Sequence, residues 1–244
     1  MHRRSFLVSL VFIAFVVAAP LRAAEAKFVY LTSGQVDAPH LLAPPPARGS
    51  AEDAADLETT FRVYSARTPA EEAHGRDENK LTIFHFAPAI GPWFATGQLP
   101  KTEALFKQLE AEAKAVTDDA KNFFQRPRPY HVAPDRFPHS IEHEDPTHYS
   151  YPSGHSTRAT VFAGLLAELF PERREAILAT GRECGWLRVL GGVHYPTDIY
   201  AGRVLGQAII RELLRAPAFQ RDLAGVQAEL TAAASVPAPV PSPR

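Results

Sequence analysis

The sequence predicts an all-α protein built as a single-domain helical bundle. Apolar residues recur at helical spacing along most of the chain, whereas no segment alternates apolar and polar residues as a half-buried strand does. The sequence contains no internal repeat, and a length of 244 residues suits one domain with a sizeable core. Together these observations favour helices packed on helices.

Composition and charge exclude several classes of protein. Hydrophobic residues make up 45% and charged residues 22% of the chain, which are ordinary globular values and exclude wholesale disorder. A formal net charge of -1 gives no reason to expect nucleic acid or an anionic membrane as a partner. The single Cys184 excludes an internal disulfide and a cysteine-rich metal site, and we expect its thiol to be buried.

The first 26 residues are typical of a secretory signal peptide. Arg3 and Arg4 form a basic start, residues 6–19 are apolar, and residues 24–26 offer a small-x-small cleavage site. The apolar stretch is shorter than the roughly 20 residues that a membrane-spanning helix needs. An uncleaved anchor is the alternative. We therefore expect a periplasmic protein without stable membrane insertion.

Residues 27–53 are expected to form an extended segment that wraps over the domain surface. A Leu-Leu-Ala-Pro-Pro-Pro run occupies residues 41–46, and consecutive prolines do not continue a helix. At the other end, residues 236–244 form a Pro-rich tail that their composition predicts to be disordered. The domain itself is expected to span residues 27–235.

Seven helices are predicted between these ends, from the period of the apolar residues and from proline and glycine at the boundaries. They span residues 57–66, 70–87, 103–125, 153–170, 172–190, 196–209 and 219–234. The third helix carries Leu105, Leu109 and Val116 at helical spacing, and Pro127 stops it. Residues 126–151 are predicted to form a polar loop.

A first polar block lies where the third helix ends. Lys121 and Arg128 are seven residues apart, or two helical turns, so we expect both cations on one face. An ammonium group and a planar guanidinium group together suit an oxyanion such as phosphate. Two cations on a solvated face are the simpler explanation of this pair taken alone.

A second block, residues 152–155, reads Pro-Ser-Gly-His and precedes a strongly apolar helix. Ser153 is a natural N-cap, and Gly154 lets a ligand approach the backbone closely. Exposed N–H groups and the positive end of the helix dipole favour an anion there, with His155 directed at it from the first turn. A plain cap with a surface histidine is the alternative.

A third block begins at Arg188 and ends at Asp198. A Gly-Gly pair ends one helix and Pro196 begins the next, so His194 lies at the junction. Asp198 is within reach of the imidazole if the first helical turn forms. A carboxylate on one ring nitrogen fixes the tautomer and makes the other nitrogen a better nucleophile or base. A surface His–Asp contact is the alternative.

The three blocks, Lys-x6-Arg-Pro, Pro-Ser-Gly-His and Arg-x5-His-x3-Asp, occur once each and in this order over residues 121–198. This ordered set resembles the signature of the type 2 phosphatidic acid phosphatase superfamily, which also includes the vanadium haloperoxidases. The signal peptide, the early Pro-rich run and the size are similar to bacterial class A non-specific acid phosphatases. One departure is Leu187, where the family pattern often has serine.

The resemblance implies the helical bundle of that superfamily and an exported acid phosphatase that hydrolyses phosphate monoesters with broad specificity. It implies that His194 is a nucleophile forming a phosphohistidine, that Asp198 orients it, and that His155 acts first as general acid and then as base. The phosphate-binding residues it implies are Lys121, Arg128, Ser153, Gly154 and Arg188. No metal ion or other cofactor is expected, since three cations and backbone dipoles supply the positive charge.

The expected partners are small phosphomonoesters, namely nucleotides, sugar phosphates and aryl phosphates, with phosphate or vanadate as the ligand of the site. The resemblance also implies self-association, because class A members are often homo-oligomers, although no exposed apolar stripe decides the matter. His194 should react neutral and His155 charged, so an activity optimum on the acid side of neutrality is expected.

Three alternative functions are considered. A vanadium-dependent haloperoxidase uses the same residues, but such chains are usually much longer. Lipid phosphatases of the family generally carry several membrane spans. A non-catalytic phosphate-binding protein is the third, although every catalytic position is present.

The His-rich loop over residues 131–148 lacks metal-ligand spacing and is expected near the mouth of the site. The neighbouring aromatic residues are expected in the core: Trp93, Phe94, Phe123 and Phe124.

Overall fold

A computed structural model describes residues 28–142 and 145–235 of the chain. Within these residues there are ten α-helices and no strand, which confirms the predicted all-α class. The helices are α1 (Ala38–Leu41), α2 (Ala51–Ala66), α3 (Pro69–Asp77), α4 (Ala87–Ile90), α5 (Pro100–Phe124), α6 (Pro129–Val132), α7 (Gly154–Leu169), α8 (Arg174–Leu190), α9 (Pro196–Leu213) and α10 (Pro217–Ala234). The predicted signal peptide and C-terminal tail lie outside the described residues.

Helix α7 is the central element of the bundle. It packs against α5, α8 and α9, and its sequence is apolar almost all round, as expected for a helix with neighbours on several sides. Leu165 and Leu166 are fully buried, and the ring of Phe162 meets Phe106 of α5 edge-on with centroids 5.4 Å apart. Cys184 is buried as predicted.

Glycines on α9 allow it to lie close against α7. A Cβ atom on Gly202 would lie 2.6 Å from the carbonyl oxygen of Ser153, and one on Gly206 would lie 2.9 Å from that of Thr157. Both distances are shorter than any van der Waals contact, so only glycine permits this approach. The packing fixes the N-terminus of α7, which carries the Pro-Ser-Gly-His block, against the first turns of α9.

The N-terminal segment is held to the bundle through a buried carboxylate. Glu112 of α5, only 1% exposed, accepts hydrogen bonds from the backbone N–H groups of Val29 (3.0 Å), Tyr30 (3.1 Å) and Leu31 (2.9 Å). The described part of the segment is mostly non-helical, but it includes the single turn α1. Asp37 caps that turn by accepting from the N–H of His40, a local signal that the surrounding prolines obscured.

The second predicted helix is shorter than expected. Residues 70–87 were predicted as one helix, whereas α3 ends at Asp77 and two 3₁₀ turns follow, Glu78–Lys80 and Ile83–Phe86. Thr82 adopts an extended conformation and accepts a hydrogen bond from the N–H of Phe84, which competes with helix continuation. The break places Asn79 beside two residues of the site described below.

The first predicted helix, residues 57–66, begins six residues earlier than predicted, at Ala51 after the N-cap Ser50, and so inside the segment expected to be extended. The other helix ends agree within about four residues, with two further corrections. The loop over residues 126–151 contains the turn α6 and a 3₁₀ turn, Pro134–Arg136. Phe123 is 62% exposed, so its assignment to the core was wrong. Phe124 instead packs inward, with its ring 5.0 Å from that of Tyr151, because neighbouring positions on a helix point in different directions.

Candidate active site

The junction between α8 and α9 brings His194 and Asp198 together. α9 begins at Pro196, so Asp198 lies in its first turn and its Oδ2 is 3.1 Å from Nδ1 of His194. The same Oδ2 accepts the backbone N–H of Tyr195 at 3.0 Å. Both side chains are buried, at 2% and 0% exposure. The predicted contact therefore lies in the interior, which excludes the surface-pair alternative.

Arg128 identifies the tautomer of His194. Nη1 of Arg128 lies 3.1 Å from Nε2 of His194, and a guanidinium group can only donate hydrogen bonds. Nε2 must therefore accept with its lone pair, and Nδ1 carries the hydrogen that points to Asp198. This arrangement is the one that a nucleophilic imidazole requires.

Two further residues hold the Asp198 carboxylate, and sequence reasoning missed both. Ser150 donates from Oγ to Oδ2 of Asp198 at 2.5 Å and also lies 3.2 Å from Nδ1 of His194. Arg126 donates from Nη1 to Oδ1 of Asp198 at 2.9 Å. Both carboxylate oxygens are thus engaged, which fixes the carboxylate plane relative to the imidazole.

Arg126 is itself anchored by helix α2. Its Nη2 lies 2.8 Å from Asp56 and 3.1 Å from Asp53, while its guanidinium carbon lies 3.7 Å from the ring centre of Tyr195. The side chain is 5% exposed. Burial alone would lower the pKa of Arg126, but the charges of Asp198 and Asp56 raise it above its ordinary value; burial also raises the pKa of Asp56. The network connects α2 to the His–Asp pair.

A cavity of about 390 Å³ opens beside Nε2 of His194, and Lys121, Arg128, Gly154 and His155 also line it. Lys121 and Arg128 were predicted on one helix face, and this is wrong. α5 ends at Phe124, and Gln125 follows with a left-handed φ of +51°, which turns the chain. Arg128 reaches the cavity from the loop beyond.

Arg188 is fully buried at the end of α8 and is not among the residues that line the cavity, but its charge acts on both His155 and His194. Its Nη1 donates to Oδ1 of Asn79 at 2.9 Å, and its Nη2 donates to Glu142, which lines the cavity. Lys121 donates to the carbonyl oxygen of Tyr149. The preceding Leu187 is buried, in the position where the family pattern often has serine.

His155 lies in the first turn of α7 and lines the cavity. Its Nε2 is 3.0 Å from the backbone carbonyl oxygen of Asn79, so this nitrogen carries a hydrogen and donates it. Nδ1 is then the nitrogen that gains and loses the second proton. Asn79 contacts both His155 and Arg188 from the 3₁₀ turn after α3, and no motif in the sequence indicated it.

The pKa values of both histidines are lowered well below the usual value. Burial is the main cause for His194, followed by the charges of Arg128 and Lys121. Burial also dominates for His155, followed by Arg188 and Arg158. The protein's own charges thus favour two neutral imidazoles. The protonated His155 that the sequence analysis expected depends on the negative charge of a bound phosphate.

Of the other predicted residues, one is buried at the start of α7 and others line the cavity. Ser153 is the predicted N-cap, and its hydroxyl accepts the N–H of Ser156 at 3.3 Å, while its own N–H donates to the carbonyl oxygen of Asp198 at 3.0 Å. It is fully buried. Thr147 and His148 line the cavity, which places part of the His-rich loop at its mouth as predicted. In residues 28–142 and 145–235 no three His, Cys, Asp or Glu side chains are grouped to hold a metal ion.

Comparisons with known proteins agree with the fold and the motifs. A family model described as the PAP2 superfamily matches residues 110–222. A non-specific acid phosphatase of Salmonella typhimurium strain LT2 is 32% identical over 207 residues, which is 80% of each chain. A second protein of that name, from Salmonella typhi, is 31% identical over 233 residues, or 91% of each chain.

A solved structure resembles the bundle as well. It is that of a transmembrane PAP2 type phosphatidylglycerolphosphate phosphatase from Bacillus subtilis, with a TM-score of 0.52 and 19% sequence identity over 69% of this chain and 87% of that chain. At this identity the likeness concerns the fold alone. Across the part of our chain that the structure describes, no helix combines the length and apolar character needed to cross a bilayer.

Proposed function

This chain belongs to the PAP2 superfamily, and from that membership we propose that it is an exported, broad-specificity acid phosphatase that hydrolyses phosphate monoesters. Its similarity to non-specific acid phosphatases over most of both chains supports the activity. The predicted signal peptide supports export to the periplasm.

The observation that carries the proposal is the contact between Arg128 and Nε2 of His194. It leaves Nε2 as the unprotonated nitrogen of a histidine that lines a cavity with several cations, while Asp198 holds the other nitrogen. A bound phosphoryl group takes Arg128 as a partner and thereby releases the lone pair for attack. A neutral imidazole beside several cations is suited to attack an anion. The cations bind the phosphoryl oxygens and lower the electrostatic barrier to that attack.

In the first step, Nε2 of His194 attacks phosphorus in line and forms the P–N bond as the P–O bond to the alcohol breaks. His155 donates its proton to the leaving oxygen, which avoids release of a poorly stabilised alkoxide and is worth roughly 10²–10⁴ in rate. The positive charge on the phosphorylated imidazole is stabilised by Asp198 through Nδ1–H.

In the second step, neutral His155 removes a proton from water, and the resulting hydroxide forms a new P–O bond as the P–N bond breaks. Phosphate leaves, while His194 and His155 return to their starting protonation states. Throughout, Lys121, Arg128 and Arg188 hold the equatorial phosphoryl oxygens, and the N–H of Gly154 at the start of α7 adds a neutral donor.

Hydrolysis of p-nitrophenyl phosphate tests the proposal, at about pH 6, where phosphate monoesters are partly dianionic. We expect wild-type protein to hydrolyse it in the presence of EDTA and His194→Ala to be inactive while remaining folded. No turnover by the wild type would contradict the phosphatase assignment. Loss of activity with EDTA would contradict the metal-independent route. Vanadate should inhibit, whereas vanadate-dependent bromide oxidation would favour the haloperoxidase alternative.

A further inference from the structure

Arg158 lines the cavity together with Lys121 and Arg128, and the mechanism above does not use it. It lies on α7 three residues after His155, which places its Cα about 4.5 Å further along the helix axis. Its side chain is 19% exposed, and Nη1 donates to Glu110 of α5. Its Nε is buried and has no acceptor among the described residues. The guanidinium is therefore not fully satisfied by its contact with Glu110, although the side chain lines the cavity.

The position of Arg158 corresponds to the alcohol portion of a substrate. The phosphoryl group is assigned to Lys121, Arg128 and Arg188, and the ester oxygen is assigned to His155. After burial, the charges of Arg188 and Arg158 lower the pKa of His155, whereas Arg128, Lys121 and Arg188 lower that of His194. Arg158 is therefore assigned to the side of the leaving group rather than to the phosphoryl group. A group that reaches it belongs to the alcohol, two or three carbons from the ester oxygen.

The present partner of Arg158 can be exchanged at low cost. Glu110 is 42% exposed, and ion pairs of this exposure contribute only about 0–1 kcal/mol. Lys114 lies four residues later on the same helix and also lines the cavity, so it offers Glu110 another partner in the favourable Glu-to-Lys order. Lys114 now pairs with Asp118 in solvent.

We propose that Arg158 determines specificity by binding an anionic group on the alcohol portion of the substrate. The preferred substrates are then phosphomonoesters that carry a carboxylate or a second phosphate two or three carbons from the ester oxygen. Such a group accepts charge-assisted hydrogen bonds from the Nη groups of Arg158 once it replaces Glu110. The inference rests on the proposed function, since it takes the cavity as a phosphatase site.

The test compares two substrates that differ at one carbon, 3-phosphoglycerate with a carboxylate and glycerol 3-phosphate with a neutral hydroxymethyl group. The readout is the ratio of kcat/KM between them, because a general loss of activity cancels in a ratio. We expect Arg158→Gln to lower the ratio by about tenfold relative to wild type, as for the loss of a charge-assisted hydrogen bond. Arg158→Lys should restore part of it.

Two variants on α5 sharpen the result. Glu110→Gln should raise the ratio, since it removes the carboxylate that competes for Arg158. Lys107→Gln is the matched control, because Lys107 is exposed on the same helix but does not line this cavity. An unchanged ratio in Arg158→Gln would overturn the inference. An equal decrease in Lys107→Gln would also do so, since it would show a general effect of charge.

Equilibrium binding separates this inference from the proposed function. The affinities of the same two compounds are measured calorimetrically on His194→Asn protein, with and without Arg158→Gln. A wild type that hydrolyses neither compound contradicts the proposed function, yet the ratio of affinities still tests the role of Arg158. We expect that ratio to fall about tenfold with Arg158→Gln, and an unchanged ratio overturns the inference.

Discussion

At the scale of single residues, the charge state of His194 is set by its surroundings before any substrate arrives. Burial and neighbouring cations keep the imidazole neutral, and Arg128 on Nε2 together with Asp198 on Nδ1 select one tautomer. His155 is subject to the same kind of shift, but its role requires a proton. Because a phosphate dianion favours the imidazolium form, substrate binding itself prepares the general acid.

The two lowered pKa values predict an optimum on the acid side of neutrality. As the pH falls, kcat/KM decreases only when the pH passes the lowered pKa of His194, well below the usual 6.5. As the pH rises, kcat decreases because His155 loses its proton in the substrate complex. Profiles between about pH 4 and pH 9 check both limbs.

Comparing two substrates with different leaving groups provides the control for the decrease in kcat above neutral pH. An alkyl phosphate needs a proton on its leaving oxygen, whereas p-nitrophenolate leaves readily without one. The decrease above neutrality should therefore be steeper for the alkyl substrate. Flat profiles, or the same alkaline decrease for both substrates, would contradict the role given to His155.

Arg126 gives a second prediction at this scale. Arg126→Lys keeps the buried charge but cannot bridge Asp198 and Asp56 with a planar fork, so Asp198 is held less firmly. We expect kcat to fall about tenfold with little change in KM, because the ground-state phosphate contacts remain. Steady-state kinetics on an alkyl phosphate measures the effect.

Arg67→Lys is the matched control for this experiment. Arg67 also stacks on a tyrosine, with its guanidinium carbon 3.7 Å from the ring centre of Tyr64, but it pairs with Glu72 away from the cavity. Its substitution should leave kcat unchanged. Wild-type kcat in Arg126→Lys, or a change confined to KM, would show that the carboxylate network does not position His194.

The site residues that lie in motifs could be predicted from the sequence, whereas those that reach the site only through the fold could not. His155, His194 and Asp198 stand beside caps and prolines that fix their backbone, so their proximity could be expected. Ser150 and Asn79 contact the site across long stretches of chain; Asn79 lies 109 positions from Arg188. Such contacts depend on how the helices pack. Neither residue lies in a motif or in a segment with regular apolar spacing, so the sequence alone does not indicate them.

At the scale of secondary structure, the position of the anion site depends on how closely α9 approaches α7. The carbonyl oxygen of Ser153 lies over Gly202, and the N–H of Ser153 bonds to the first turn of α9. The N-terminus of α7 and the His–Asp pair are therefore parts of one rigid contact. The two helices can approach this closely because Gly202 has no side chain.

Gly202→Ala tests this contact. The added methyl group would lie 2.6 Å from the carbonyl oxygen of Ser153, so the helices must separate. We expect a loss of about 1–3 kcal/mol in the free energy of unfolding, as for other overpacked cores, together with lower kcat. Urea unfolding and steady-state kinetics measure the two effects.

Gly225→Ala on α10 is the control, since a Cβ atom there has no atom within 4 Å among the described residues. Alanine favours the helix by about 0.5–1 kcal/mol over glycine, so this variant should be as stable as wild type or more so. If Gly202→Ala behaves in the same way, then close approach of α7 and α9 is not what positions the site.

Helix boundaries show where periodicity succeeds and where it fails. Proline and polar caps delimit α5, α7 and α9, and the predicted ends lie close to the observed ones. The predicted helix over residues 70–87 failed because Thr82 caps a new turn, a competition that apolar spacing does not register. The prediction that Lys121 and Arg128 share a helix face failed because Gln125 adopts a left-handed conformation, which is rare for residues other than glycine.

At the scale of the whole molecule, two carboxylates, one of them buried, join segments that are distant in sequence. Glu112 binds the backbone of residues 29–31, and Glu229 of α10 accepts hydrogen bonds from the N–H groups of Lys101 (2.9 Å) and Thr102 (2.8 Å) at the start of α5. These contacts close both ends of the domain onto α5, far from the cavity. They should therefore affect stability and leave the chemistry unchanged.

Glu112→Gln tests this separation. An amide has one acceptor oxygen in place of two and brings an NH₂ group among three N–H donors, so some of them lose their partner. We expect a loss of about 1–3 kcal/mol in the free energy of unfolding, with kcat unchanged. The exposed Glu172→Gln should change neither quantity. Wild-type stability in Glu112→Gln would show that this carboxylate does not hold the segment.

Trapping the covalent intermediate tests the central claim most directly. Wild-type protein is mixed with a phosphomonoester, quenched in alkali, where phosphohistidine persists, and digested for mass spectrometry. We predict that the peptide containing His194 gains one phosphoryl group (HPO₃), that His155→Ala retains it for longer, and that His194→Ala shows none. Turnover by the wild type with no phosphoryl group on His194, or with the group on another residue, would contradict the account.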